Sequence, residues 1–249
     1  AITLSMSNAP AGASFNSSGA SGTFTWTNAT PVGVYTARFY AVDNDGAVSQ
    51  PAILRVLLNG SIWINELHYD NTSTDTNEGV EVAGTAGTDL SLFSLIAYNG
   101  ADGLQYMSNA LAGTIDDEGC GYGAVWVPMT GLQNGPDGVA LVELGSNLVQ
   151  FVSYGATVIA SNGPAAGVTA EKLNVAETTT TPVGNSLQLS GVGTSYVQFV
   201  WSAATNVASR DTLNASQWIY PCGGTTDQPP FLFLIGNRDR SEERRVGKE

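Results

Sequence analysis

The chain contains a single histidine among its 249 residues, so any chemistry that needs an imidazole has to be built around His68. It stands in the run Asn65-Glu66-Leu67-His68-Tyr69-Asp70, with a carboxylate two residues to either side. At the two-residue repeat of a strand, Glu66, His68 and Asp70 project from one face as a carboxylate, imidazole, carboxylate row that could hold a metal ion or shuttle a proton. The plainer reading, which we prefer, is a motif strand whose polar groups cap neighbouring loops, because one spaced triplet is weak evidence of a site. No Gly-x-Ser-x-Gly, His-Glu-x-x-His or phosphate-cradling Gly loop ending in Lys-Ser or Lys-Thr occurs. The expectation is a segment with no catalytic residue and no organic cofactor.

Calcium is the more serious chemical candidate, since hard oxygen ligands in acidic loops suit it. Asp43-Asn44-Asp45-Gly46 offers alternating oxygens through Asp43 and Asp45, and Asp116, Asp117 and Glu118 offer three carboxylates in succession. Neither has the spacing of a full twelve-residue calcium loop; a hairpin turn explains the first, and exposure to water the second. Cys120 and Cys222 could join in one disulfide closing a loop of about 100 residues, or stand as two free thiols. The five tryptophans, Trp26, Trp63, Trp126, Trp201 and Trp218, could stack on sugar rings. Most fall at alternating apolar positions, where core packing is the ordinary role, and Trp218 alone is expected to be exposed.

These residues must be positioned by strands. With 29 Gly, 10 Pro and 12% charged residues against 43% hydrophobic ones, the composition favours short strands joined by tight turns over disorder or long helices. Helical periodicity is not sustained over twelve residues anywhere, and 170–177 is the one helix-like patch, too short to change the class. Strands are expected at 1–6 and 22–27, separated by a Ser/Gly-rich loop at 14–21. A hairpin follows, with 34–43 carrying Tyr35, Ala37, Phe39 and Ala41 on one face, a turn at Asn44-Asp45-Gly46, and a return strand at 52–58. A second series is expected at 61–70, 79–83, 93–98, 123–127, 138–144, 148–154, 186–189 and 196–201. The class is all-β, with two tandem sandwich modules.

The net charge of -13 opposes phosphate backbones and anionic lipid, so direct nucleic-acid binding is not expected. No apolar run approaches the roughly 20 residues needed to span a bilayer as a helix. Five of the nine basic residues lie in 237–249, a charged stretch unlike the rest, which we read as a non-homologous tail after a linker, together 220–249. With no leader at its start, the sequence is expected to be a piece of a longer protein.

Residues 1–58 place a Pro-Ala-Gly turn at 10–12, Gly-x-Phe-x-Trp at 22–26, Gly-x-Tyr at 33–35 and Asp-x-Asp-Gly at 43–46. In this they resemble the immunoglobulin-like repeats of bacterial surface and secreted proteins, without the first strand or strands of that family. Residues 61–219 contain "INELHYDN", "GLQNGPDGVALVE", "VQFVSYGATVIASNGPAAGV" and "PVGNSLQLSGVG" in that order, closing with a Trp strand and "LNASQ". This block resembles the lamin tail domain in its bacterial secreted form. The resemblance implies an immunoglobulin-like sandwich. One departure is Gly79, where the family usually carries a bulky residue between two acidic ones and where glycine is expected to loosen a strand edge.

The two resemblances together imply a non-catalytic binding or spacer module of a secreted or cell-surface bacterial protein. Its partner would be a downstream catalytic domain of the same parent chain, an extracellular nuclease or other hydrolase, or an extracellular polymer. The alternative is a surface adhesin or structural stalk built of sandwich repeats.

Overall fold

The computed structural model describes residues 2–27, 33–58 and 60–220. It is all-β, as the turn-rich composition required, with two short 3-10 turns and no α-helix among the described residues. None of its helical segments is long and apolar enough to cross a membrane.

The first five strands are β1 (Thr3–Ser7), β2 (Ala13–Ser18), β3 (Ser21–Trp26), β4 (Gly33–Val42) and β5 (Ala52–Leu58). They form a three-stranded antiparallel sheet in the order β1-β4-β5 and a separate hairpin of β2 with β3. The expected β4–β5 hairpin is present, with Phe39 opposite Ala52 and Tyr35 opposite Val56. The expected loop at 14–21 is mostly strand instead. Phe15 supplies the reason, because its ring lies over Gly22 of β3 and meets Phe39 edge to face at 5.0 Å. Phe24 also contacts Phe39, and Trp26 meets Tyr35 at 4.7 Å. One aromatic anchor was enough to draw a Ser-rich segment into a hairpin.

The remaining strands are β6 (Ile62–His68), β7 (Gly79–Thr85), β8 (Phe93–Asn99), β9 (Gln105–Ala110), β10 (Tyr122–Pro128), β11 (Asp137–Glu143), β12 (Asn147–Tyr154), β13 (Glu171–Lys172), β14 (Asn185–Gly193), β15 (Phe199–Val207) and β16 (Gln217–Ile219). One sheet runs β10-β7-β6-β14-β15, with β16 parallel to the end of β14; the other runs β13-β12-β11-β8-β9. Among the described residues, strands of 3–58 pair only with one another, and strands of 62–219 do likewise.

The two larger sheets enclose Trp63, Leu67, Val80, Val82, Leu95, Val139, Leu141, Val152, Leu187 and Leu189, all buried. A second cluster of Ile96, Tyr98, Ala140, Val142 and Phe151 lies on the outer face of the second sheet. Val158, Ala160, Ala165 and Ala170, from the 155–170 segment, close over it. Strands β8, β11 and β12 are therefore apolar on both faces, which is why they read as nearly continuous hydrophobic runs.

Three further expectations are corrected. The patch at 170–177 is the two-residue strand β13 followed by coil, since Glu171 and Lys172 pair in parallel with Val152 and Ser153. The strand expected at 196–201 begins only at Phe199, after a 3-10 turn at Tyr196–Gln198. Gly79 is no loosened edge; it pairs with Pro128 on one side and His68 on the other. The Trp126 ring occupies the space a side chain there would need, with Cζ2 only 2.5 Å from where a Cβ would stand.

Candidate functional site

The chemistry-bearing residues gather on β6 and on the two connections that cover its ends. Strand β6 carries a bulge: Ile64 opposes Val82, yet Glu66 already opposes Glu81. The extra residue is Asn65, and the Ile64 amide it displaces is taken by Gln150 Oε1 from β12 of the facing sheet, at 2.8 Å. Asn65 is itself fully fixed. Its Oδ1 accepts from Trp63 Nε1 at 3.0 Å, and its Nδ2 donates to Glu81 Oε1 at 3.0 Å.

The row expected from spacing does not form as one site. Strand β6 ends at His68, so Asp70 lies in the connection beyond it, and Glu66 and His68 face different partners. His68 is completely buried and pairs with Glu177, which the coil before β14 carries in: Nδ1 lies 2.9 Å from Glu177 Oε1. On the other side of the ring, Nε2 lies 3.0 Å from Thr76 O and 3.2 Å from Asn71 Oδ1. Asn71 is not free to present its amide nitrogen there, because Nδ2 donates to Thr72 O and Thr74 O while Oδ1 accepts from Thr76 N. Both ring nitrogens therefore face acceptors, and the ring that satisfies them is the doubly protonated imidazolium. Burial by itself lowers the imidazole pKa; Glu177, the Thr76 carbonyl and Asn71 outweigh it and leave it above the ordinary value.

Glu177 does more than neutralise the ring. Its Oε2 accepts from Tyr69 N at 2.6 Å and Asp70 N at 2.9 Å, and its own amide donates to the Tyr69 hydroxyl at 2.7 Å. Tyr69 stacks on Tyr154 at 3.9 Å, and Thr72 N donates to Thr181 O. The arrangement clamps the 69–78 connection onto the 173–184 coil. Asp70 contributes a backbone donor to it, while burial, then Asp75 and Glu177, raise its carboxyl pKa against the opposing pull of His68.

Glu66 belongs to a different group. Its Oε2 accepts from the amide and hydroxyl of Ser209 and, at 3.4 Å, from Gln188 Nε2. Ser209 opens a strap, 209–214, that crosses the outer face of the sheet. Along it, Asp211 Oδ1 accepts from Trp126 N and Leu213 N donates to Glu118 Oε2. Asn214 donates to both Asn65 O and Leu189 O. The Arg210 guanidinium sits 4.8 Å from the centre of the Trp126 ring.

The candidate calcium ligands are occupied by local turns. Asp43 Oδ1 accepts from Asp45 N and Ala47 N, with the Asp45 side chain exposed beside it. Asp117 Oδ1 accepts from Gly119 N and Gly121 N, and Glu118 Oε1 from Ala124 N. Asp116 is exposed, and no group of three or more metal-ligating side chains occurs among the described residues. Cys120, at φ 59 in the turn before β10, is in disulfide form; Cys222 and the charged tail lie outside the described residues. Trp63 and Trp201 are buried, Trp26 and Trp126 are partly buried, and Trp218 is 40% exposed.

Sequence reasoning missed Glu177, Glu81, Asn65, Ser209 and Asn214. The available signal was polarity inside apolar alternation, as in Val80-Glu81-Val82; nothing local marked Glu177, which acts across more than a hundred residues. Comparison with protein-family models, curated proteins and solved structures finds no match for this chain.

Proposed function

We propose that this chain is a non-catalytic binding or spacer module of a larger secreted bacterial protein, accessory to an extracellular nuclease or other hydrolase. One observation carries the reading. The chain's single imidazole is buried with both nitrogens committed to Glu177 and to the 71–76 turn, so it has no lone pair with which to take a proton from substrate. Glu66, one of the two carboxylates two residues from it, holds the strap through Ser209. The resemblance of 61–219 to the lamin tail domain supplies the architectural half of the proposal, and the net charge of -13 points to a role other than gripping the polyanion.

The test has two arms. The purified chain is incubated with duplex DNA and with phosphodiester and glycoside reporters in millimolar magnesium and calcium; no turnover above buffer is expected. Hydrolysis that disappears in Glu66→Ala, while a buried control substitution leaves it intact, would overturn the reading. In parallel, the coding locus is sequenced across both flanks. A hydrolase domain in frame supports the accessory role, whereas further sandwich repeats with a surface anchor and no hydrolase replace it with a stalk or adhesin.

A further inference from the structure

The outer face of the first large sheet holds an arrangement that the function above does not use. Glu66 and Glu81 stand directly opposite each other on β6 and β7, and both are fully buried. Residues paired this way carry their Cβ atoms about 4.5–5.5 Å apart on one face, a position where like charges repel. Each carboxyl also has one buried oxygen without a hydrogen-bond partner, Oε1 of Glu66 and Oε2 of Glu81. Orphaned carboxylate oxygens are among the costliest groups to leave in an interior.

Among the described residues no cation is paired with either of them. Strand β14 contributes the neutral Gln188 and Ser186, and β10 contributes Trp126. The strap contributes Asp211 and Arg210, whose guanidinium is turned to the Trp126 ring and to Asn77 O. The turn before β10 adds another carboxylate, Glu118. A carboxyl that keeps its proton gains a donor, and between two paired carboxyls one hydrogen can serve an oxygen of each. The donors already present say which side carries it. Glu66 receives Ser209 N, Ser209 Oγ and Gln188 Nε2, a set suited to an anion, while Glu81 has the Asn65 amide on Oε1 and the Asp211 backbone.

We propose that Glu81 is a neutral acid whose Oε2–H donates to Glu66 Oε1, and that this shared proton is the latch that holds the 209–214 strap against the sheet. Burial, followed by the Glu66 charge, pushes the Glu81 carboxyl well above the usual carboxylate range, in keeping with that geometry. When the proton leaves, two adjacent buried anions repel, and the element free to move is the strap that Glu66 and Glu81 anchor. The strap leads directly into β16, so its release loosens the final described strand.

The experiment follows the side-chain carboxyl carbons of the full chain, labelled at glutamate, by NMR from pH 5 to 9.5, with amide exchange at Ser209 and Trp126 corrected for intrinsic rate. Glu81 is expected to stay protonated at pH 7. Between the Glu81 titration points of the open and closed states the closed-to-open ratio of the strap falls by up to about tenfold per pH unit, and it levels off above the closed-state one, because one proton is linked to closure. Glu81→Gln, which keeps a donor toward Glu66, is expected to fold and to remove that pH dependence. Two ionised carboxyls at pH 7 overturn the proposal. So does a melting temperature that rises with calcium or magnesium and falls with chelator only while Glu66 and Glu81 are intact, which would put a cation in the gap. If Glu81→Gln does not fold, the wild-type titration decides alone.

Discussion

Replacing His68 by alanine tests the central structural claim, that the imidazolium and Glu177 form a buried ion pair that clamps two connections together. Deleting the ring leaves Glu177 Oε1 buried without its counter-charge, a change that costs about 3–5 kcal/mol when the partner stays ionised. Glu177 Oε2 keeps its two backbone donors, Tyr69 N and Asp70 N, so the low end, about 3 kcal/mol, is expected. For a domain of this size that is roughly 6–12 °C of melting temperature. His68→Ala combined with Glu177→Gln removes the stranded charge, and the double variant should recover part of the loss.

The pH dependence gives the sharper criterion. The folded pKa of His68 lies above its ordinary value, so the pair's contribution is fully present below the unfolded pKa of about 6.5 and is lost as pH rises through the folded one. Urea midpoints of wild type and His68→Ala at pH 5.5, 7 and 9 should therefore converge as pH rises. Raised carboxyls such as Glu81 also lose stability in that direction, but they are common to both proteins and cancel in the difference. A gap that widens with pH, or no gap at pH 5.5, refutes the ion pair.

Gly100→Ala would place a Cβ 1.9 Å from Pro136 O, a backbone atom that cannot rotate away, so a loss of at least about 1–3 kcal/mol is expected in chemical denaturation. Intact mass should rise by about two hydrogens on reduction if Cys120 is joined to Cys222, and reduction should lower the melting temperature, since a loop of about 100 residues is released. Millimolar calcium should leave the melting temperature unchanged, because the oxygens of Asp43, Asp117 and Glu118 already accept backbone amides; a rise would show a bound ion.

The class was readable because strand and turn signals are local. Alternation in β4 and β5, with Asn-Asp-Gly between them, specifies a hairpin from fewer than thirty residues. Where the reading failed, a tertiary partner decided. Strand β2 exists because Phe15 finds Gly22 and Phe39, and β13 because the edge of β12 is open to it. At Gly79, where a loosened strand edge was expected, the space beside the glycine is filled from the neighbouring strand by Trp126. A rule applied to one strand cannot see that exchange, because it is made between strands.

The site follows the same division. Alternation put Glu66 and His68 on one face, and the register from Glu66 to His68 is regular, but the row was expected to run on to Asp70, whereas the strand stops at His68. Both side chains then take partners brought in from afar, Glu177 for one and Ser209 for the other. Their functional meaning inverts with those partners. An exposed histidine between carboxylates is a proton shuttle; the same histidine with acceptors on both nitrogens is a fixed cation, and its removal should be felt first in stability. The buried carboxyls differ in the donors they receive. Glu177 collects two backbone amides and Glu66 the amide and hydroxyl of Ser209, while Glu81 keeps one oxygen without a partner, and burial, then the Glu66 charge, raises its pKa. The donors each carboxyl receives come from segments far away in sequence, so they depend on the fold as a whole.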